Sequence, residues 1–151
     1  MREILFRGKQ LDNGEWVEGW YEMYPFGKWP VKTSIIPSEE AKDGHYEHVQ
    51  VDPSTVGQYT GLKDKNGKRI FEGDIVTGRI HGPGIWTGQV IWIDRIAGFG
   101  LKWIHRDEPT AFENCSLLRF LTSQGGHPDE YLAEIIGNIH DNPELLKGGE
   151  G

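Results

Sequence analysis

Cysteine is nearly absent from this sequence: Cys115 is the single one in 151 residues. That excludes an intramolecular disulfide and a cysteine-rich zinc site. No neighbour would activate the Cys115 thiol, so it reads as a small buried apolar residue rather than a nucleophile. Long hydrophobic runs are missing too. No apolar stretch approaches the ~18 residues of a membrane span, and Met1-Arg2-Glu3 leads straight into a strand-like segment without a signal-peptide pattern. The expected compartment is the cytoplasm, with no membrane partner. Basic residues are in the minority, 16 against 23 acidic, for a net charge of −7. Duplex-binding proteins carry a basic stripe that neutralises phosphates, and this composition disfavours one. Internal repeats are lacking. So are paired acids, a metal-ligand cluster and an activated nucleophile, so no enzyme activity, catalytic residue, metal or cofactor is expected.

Glycine, by contrast, is abundant. The 21 glycines are about twice the usual share of roughly 7%. They lie scattered between short apolar runs, which favours many turns and short strands over disorder. The densest such signal is Val56 to Val76, V-G-Q-Y-T-G-L-K-D-K-N-G-K-R-I-F-E-G-D-I-V. Within it, Asp64-Lys65-Asn66-Gly67-Lys68 is a hairpin turn between two β-prone runs. Asn-Gly favours the two-residue type I′ loop, where both residues take φ > 0. Glu72-Gly73-Asp74 is a second sharp bend, at which Asp74 is expected to accept backbone N–H groups.

At these residues the chain resembles the YopX family of phage and prophage proteins. The matching positions are Val56 to Leu62, Asp64 to Lys68, Ile70, and Glu72 to Val76. Two further pieces match in order. One comprises Met1 to Ile4, Phe6 to Lys9, Gly14 to Val17 and Gly19. The other comprises Ile136 to Ile139 and Asn142 to Leu146. The resemblance implies a β-rich protein with a small SH3-like barrel. It brings no activity and no catalytic residue.

Along the chain, Arg2 to Leu11 and Glu15 to Met23 read as a hairpin around Asp12-Asn13-Gly14. The second strand alternates, with Trp16, Glu18, Trp20 and Glu22 on one face. Two indoles among glutamates imply a cover, either another segment of this chain or another chain. Tyr24 to Gly44 carries Pro25, Gly27, Pro30 and Pro37 and reads as a long loop, with Val31 to Ile36 as a short strand. His45 to Val51 is strand-like. His45 and His48, three apart, would then face opposite ways, which favours two surface histidines over a shared metal. Asp52-Pro53 reads as a capped helical turn.

Val90 to Ile93 is apolar throughout and reads as a strand buried on both faces. Trp92 is expected in the core with Val90, Ile75, Leu101 and Ile136. His105 to Pro109 reads as a charged loop. Ala111 to Thr122 fits either helix or strand. Tyr131 to Ile139 reads as the last strand, with a bulge at Gly137. Asn142 to Leu146 reads as a capped turn whose two leucines lid the barrel.

The expectation is therefore a mainly β protein in three parts. Residues 1–56 are a hairpin region with a long loop, 57–147 an SH3-like barrel with short helical turns, and 148–151 a mobile tail. Two functional readings stand side by side. The first is a non-enzymatic phage or prophage accessory protein. It would bind a host or phage protein, or a second copy of itself, with Trp16 and Trp20 as the candidate interaction residues. The second is nucleic-acid binding through the Lys63–Arg69 hairpin. There Lys63, Lys65, Lys68 and Arg69 would meet phosphates, and Tyr59 would stack a base.

Overall fold

The computed structural model describes residues 3–24, 32–38, 46–79, 84–106 and 133–147. Ten strands and three short 3₁₀ turns account for most of them: β1 (Phe6–Lys9), β2 (Trp16–Tyr24), β3 (Lys32–Pro37), β4 (Val49–Gln50), β5 (Gly57–Lys63), β6 (Arg69–Phe71), β7 (Asp74–Arg79), β8 (Ile85–Ile93), β9 (Gly98–Arg106) and β10 (Glu134–Asn138), with η1 (Pro53–Thr55), η2 (Asp94–Ile96) and η3 (Pro143–Lys147). The protein is thus mainly β. The strands form two antiparallel sheets, in the orders β4-β3-β2-β1-β5-β6 and β10-β7-β8-β9. A closed barrel was expected and is not what the described strands make. Closure needs the outer strands of a sheet to pair with each other, and β10 and β9 stand at opposite ends of theirs. No described helix is long and apolar enough to cross a membrane.

The chain divides into two compact units, Met1–Tyr59 and Thr60–Gly151, with the boundary inside β5. In the first unit, β2 is the central ribbon. It pairs with β1 through Phe6↔Gly19 and Lys9↔Trp16, and with β3 through Trp20↔Ile36 and Tyr21↔Ile35. One face of this sheet is the core side, where Ile35 and Val51 are buried against Gly8. Packing there is close. A Cβ added at Gly8 would lie 3.0 Å from the Val51 Cβ, and one at Gly19 would lie 1.9 Å from the Ile36 carbonyl oxygen. η1 forms as its sequence dictates: Pro53 is fixed at a helical φ, and the Asp52 carboxylate accepts the Ser54 N–H at 2.9 Å.

In the second unit the core is Ile70, Val76, Trp86, Val90, Leu101 and Ala133, with Leu62, Phe99, Trp103 and Ile135 packed against it. Val90, Ile75 and Leu101 are buried, as the alternation required. Two core expectations are corrected. Trp92 is 45% exposed. It lies opposite Phe99, two residues beyond the buried Val90–Leu101 pair, so it faces the core side but sits where the core has run out. Its ring meets Phe99 edge-on at 5.2 Å, and its indole N–H donates to Asp94. The Val90–Ile93 run is accordingly not buried on both faces. Ile136 is 42% exposed because the β10 register slips between Ile135 and Gly137, leaving Ile136 as the extra residue of a bulge.

The leucines at the C-terminal turn do not lid a barrel; Leu146 is exposed. Residues His105 and Arg106 end β9 rather than start a loop. Between Tyr24 and Gly44, β3 is the described part. His45, Cys115, the 111–122 segment and the 148–151 tail lie outside the described residues.

Candidate functional site

Two surfaces were expected to carry function, and the structure treats them differently. The first is built on β1, β2 and β3. Because residues two apart on a strand share a face, Trp16, Glu18, Trp20 and Glu22 point away from the core side of the sheet. Antiparallel register sets Lys9 beside Trp16, Arg7 beside Glu18, Ile36 beside Trp20 and Ser34 beside Glu22. Cross-strand neighbours at these spacings touch. The Arg7 guanidinium lies 4.6 Å from the Trp16 ring centre, and the Lys9 ammonium 5.5 Å away. Each cation thus meets the electron-rich ring face. Arg7 is buried and Trp16 half-buried, so this indole is covered from within the chain. Trp20 is not covered: it stays 46% exposed, with Ile36 half-buried at its side.

At the far end of the same strand, the Glu22 carboxylate is hydrogen-bonded to the His48 imidazole at 2.6 Å. Residues 46–48 are irregular rather than a strand. The pair holds that segment onto β2. A shallow groove of about 430 Å³ runs between Leu11-Asp12 and Glu47-His48, floored by Val49 and Gln50. Among the described residues, no three His, Cys, Asp or Glu side chains cluster as a metal site would require.

The second surface is the turn between β5 and β6, in the second unit. Asn66 and Gly67 sit at its tip as expected, but the turn is not type I′. Of the two, Gly67 alone has positive φ, +78°. The Gly67 N–H donates to the Asp64 carbonyl and the Asp64 N–H to the Lys68 carbonyl, both within 2.9 Å. This is the pattern of a type I turn followed by a left-handed glycine. The reason is Asp64, whose carboxylate prefers a different set of donors. It is 2% exposed and accepts the N–H groups of Asn66 and Lys68 at 2.9 Å and of Ile135, on β10, at 3.2 Å.

Other links run the same way. The Lys65 N–H donates to the Ala133 carbonyl, and the Lys65 ammonium pairs with the Glu134 carboxylate, which the Asn66 amide also reaches. The Lys65 hydrogen bond holds the Glu134 carboxyl below the ordinary carboxylate range. The turn is therefore a clasp on the start of β10.

That changes the reading of the basic residues. Lys65 is engaged with Glu134, and Arg69 is half-buried, while Lys63 and Lys68 remain exposed. Tyr59 is 7% exposed. A ring that stacks bases must be open to them, so Tyr59 cannot serve the role assigned to it. Asp74 behaves as its position suggested: buried, it accepts the Phe71 N–H at 2.8 Å across the Gly73 bend.

Sequence reasoning missed Asp64 as a hub. Half of the signal was legible, since an Asp two residues before an Asn commonly accepts backbone N–H groups ahead of it. The bond to Ile135, 71 residues on, leaves no local trace. The Glu22–His48 and Lys65–Glu134 pairs are non-local in the same way.

No curated protein matches this chain. Among solved structures it is similar to the crystal structure of protein EF1440 from Enterococcus faecalis, at 26% sequence identity and a TM-score of 0.52, with 97% of this chain and 99% of that one covered. The family model described as YopX protein matches residues 5–147, nearly the whole length, and the chain belongs to the YopX family.

Proposed function

We propose that this protein is a non-enzymatic binding module of phage or prophage origin. It acts in the host cytoplasm on a host or phage protein through the outer face of β2. The observation that carries the reading is Trp20, a large apolar ring left 46% exposed in the middle of a sheet face. Ile36 lies beside it across the sheet, with Glu18 and Glu22 before and after it on the same face and Trp16 one step beyond Glu18. Tryptophan surrounded by partly covered neighbours is the typical composition of an interface centre, and the glutamates at 18 and 22 fit its polar rim. Trp16 contributes less ring surface than Trp20, because Arg7 and Lys9 already lie over it.

The test is capture from prophage-carrying cells with the intact chain, a Trp20→Glu variant and a Leu11→Glu control. Leu11 is also exposed but lies outside this face. A protein retained by the intact chain and the control, and lost with Trp20→Glu, supports the reading. A capture profile indifferent to Trp20 overturns it. Light scattering on the same three samples separates a foreign partner from a second copy of the chain.

A further inference from the structure

The chain carries two Asn-Gly pairs, Asn13-Gly14 and Asn66-Gly67, both at hairpin tips. We infer that Asn13 is a site of spontaneous conversion to aspartate and isoaspartate in the folded protein, and that Asn66 is shielded from the same reaction. The chemistry needs no enzyme. The glycine backbone nitrogen loses its proton and bonds to the asparagine Cγ. The Cγ–Nδ2 bond breaks and ammonia leaves, closing a five-membered imide. Water then opens the imide at either carbonyl. One opening gives aspartate. The other gives isoaspartate, with the chain rerouted through the side chain. Glycine favours the closure because no Cβ obstructs the approach of its nitrogen. The product is one more carboxylate in a segment that already holds Asp12 and Glu15. It stands next to Asp12, which lines the groove, and three residues ahead of Trp16.

Exposure does not separate the two sites, since both asparagines are exposed. Nor does the attacking nitrogen in the resting structure. The Gly14 N–H donates to the Gln10 carbonyl and the Gly67 N–H to the Asp64 carbonyl, each at 2.9 Å. Either nitrogen becomes available only when its turn opens, so the cost of opening decides. Around Asn13 the side-chain bonds are local, and one exposed backbone bond, from the Leu11 N–H to the Gln50 carbonyl at 3.0 Å, ties the turn to β4. Its Oδ1 accepts the Glu15 N–H at 2.8 Å, its Nδ2 meets Gln10 Oε1 at 3.5 Å, and Gln10 and Glu15 close the loop. Opening the Asn66 turn must disturb the buried Asp64 carboxylate and its three N–H partners. The Lys65 links to Ala133 and Glu134 are at stake too.

The test follows the Gly14 and Gly67 amide signals of the ¹⁵N-labelled full chain by NMR during incubation at mildly alkaline pH. The native Gly14 signal should decay at least about fivefold faster than that of Gly67, the ratio expected for roughly 1 kcal/mol less opening cost. In Asp64→Ala the Gly67 signal should accelerate toward the Gly14 rate. If that variant does not fold, the intact chain in concentrated urea provides the same comparison, and there the two rates should converge. Equal decay of both signals in the native chain, or faster loss of Gly67, would overturn the inference. So would a ratio that survives unfolding.

Discussion

The two hairpin turns that contain Asn-Gly are close in sequence character and opposite in structural role. Asp12-Asn13-Gly14 is held by bonds among residues 10 to 15 and by one backbone bond, from the Leu11 N–H to the Gln50 carbonyl, and its aspartate is exposed. Asp64-Lys65-Asn66-Gly67 has a buried aspartate and reaches residues 133, 134 and 135 through backbone and side-chain bonds. Glycine with positive φ is common to both, +71° at Gly14 and +78° at Gly67. A turn motif therefore fixes a bend, while its importance depends on what the surrounding fold brings to it. The lesson bears on function as well. The basic residues of the second turn were candidates for phosphate contact, yet the segment that carries them is committed to holding β10.

Substitutions should separate the two turns. Asp64→Ala should have the largest effect. It strands three backbone donors, each costing about 1–3 kcal/mol when buried without a partner, and some regain water, so a loss of roughly 3–5 kcal/mol is expected in urea unfolding. Asp12→Ala should cost less than about 0.5 kcal/mol, in the range of ordinary surface changes. Equal effects would erase the distinction between the turns.

Gly67→Val and Gly14→Val should then cost alike, about 1–2 kcal/mol each, because a left-handed backbone resists a β-branched side chain. No heavy atom lies within 4 Å of a Cβ at either position, so backbone strain is the whole effect. A several-fold difference between them would mean that the clasp also depends on the glycine.

The smallest effect belongs to Glu134. Its carboxyl is held low by Lys65, so it contributes stability above the pKa of the unfolded chain. That contribution is lost as pH falls through the lower folded value. Glu134→Gln should flatten the acid side of the stability profile slightly and leave neutral pH nearly unchanged, since the pair is exposed.

Much of the β architecture was legible because it is periodic. The β1–β2 hairpin, the buried Val90 and Leu101, the η1 cap and the Gly137 bulge all follow from local rules applied over a few residues. Trp92 was placed on the correct face and at the wrong depth. Alternation gives the face, but where a core ends depends on which strands cover it. Ile136 shows a similar limit. The bulge at Gly137 was readable, and its consequence, that Ile136 becomes the unpaired residue, needs the register with β7.

Of the candidate site, the shared face of Trp16 and Trp20 could be read from period two. The cover over Trp16 could not, since it depends on the β1 register that sets Lys9 beside it and Arg7 two pairs further along. Tyr59 failed as a stacking residue because an aromatic on a short strand carries no mark of which side the core takes. Closure of a barrel was carried by resemblance alone.

Amide hydrogen exchange in the Asp64→Ala variant tests the clasp most directly, since it reads the three donors one by one. The Asn66, Lys68 and Ile135 amides should lose protection together, with Ile135 affected although it is 71 residues distant in sequence. Protection at Glu15, in the other turn, should not change. If Asn66 and Lys68 lose protection while Ile135 keeps it, the turn is a local bend like its counterpart and the clasp account is wrong.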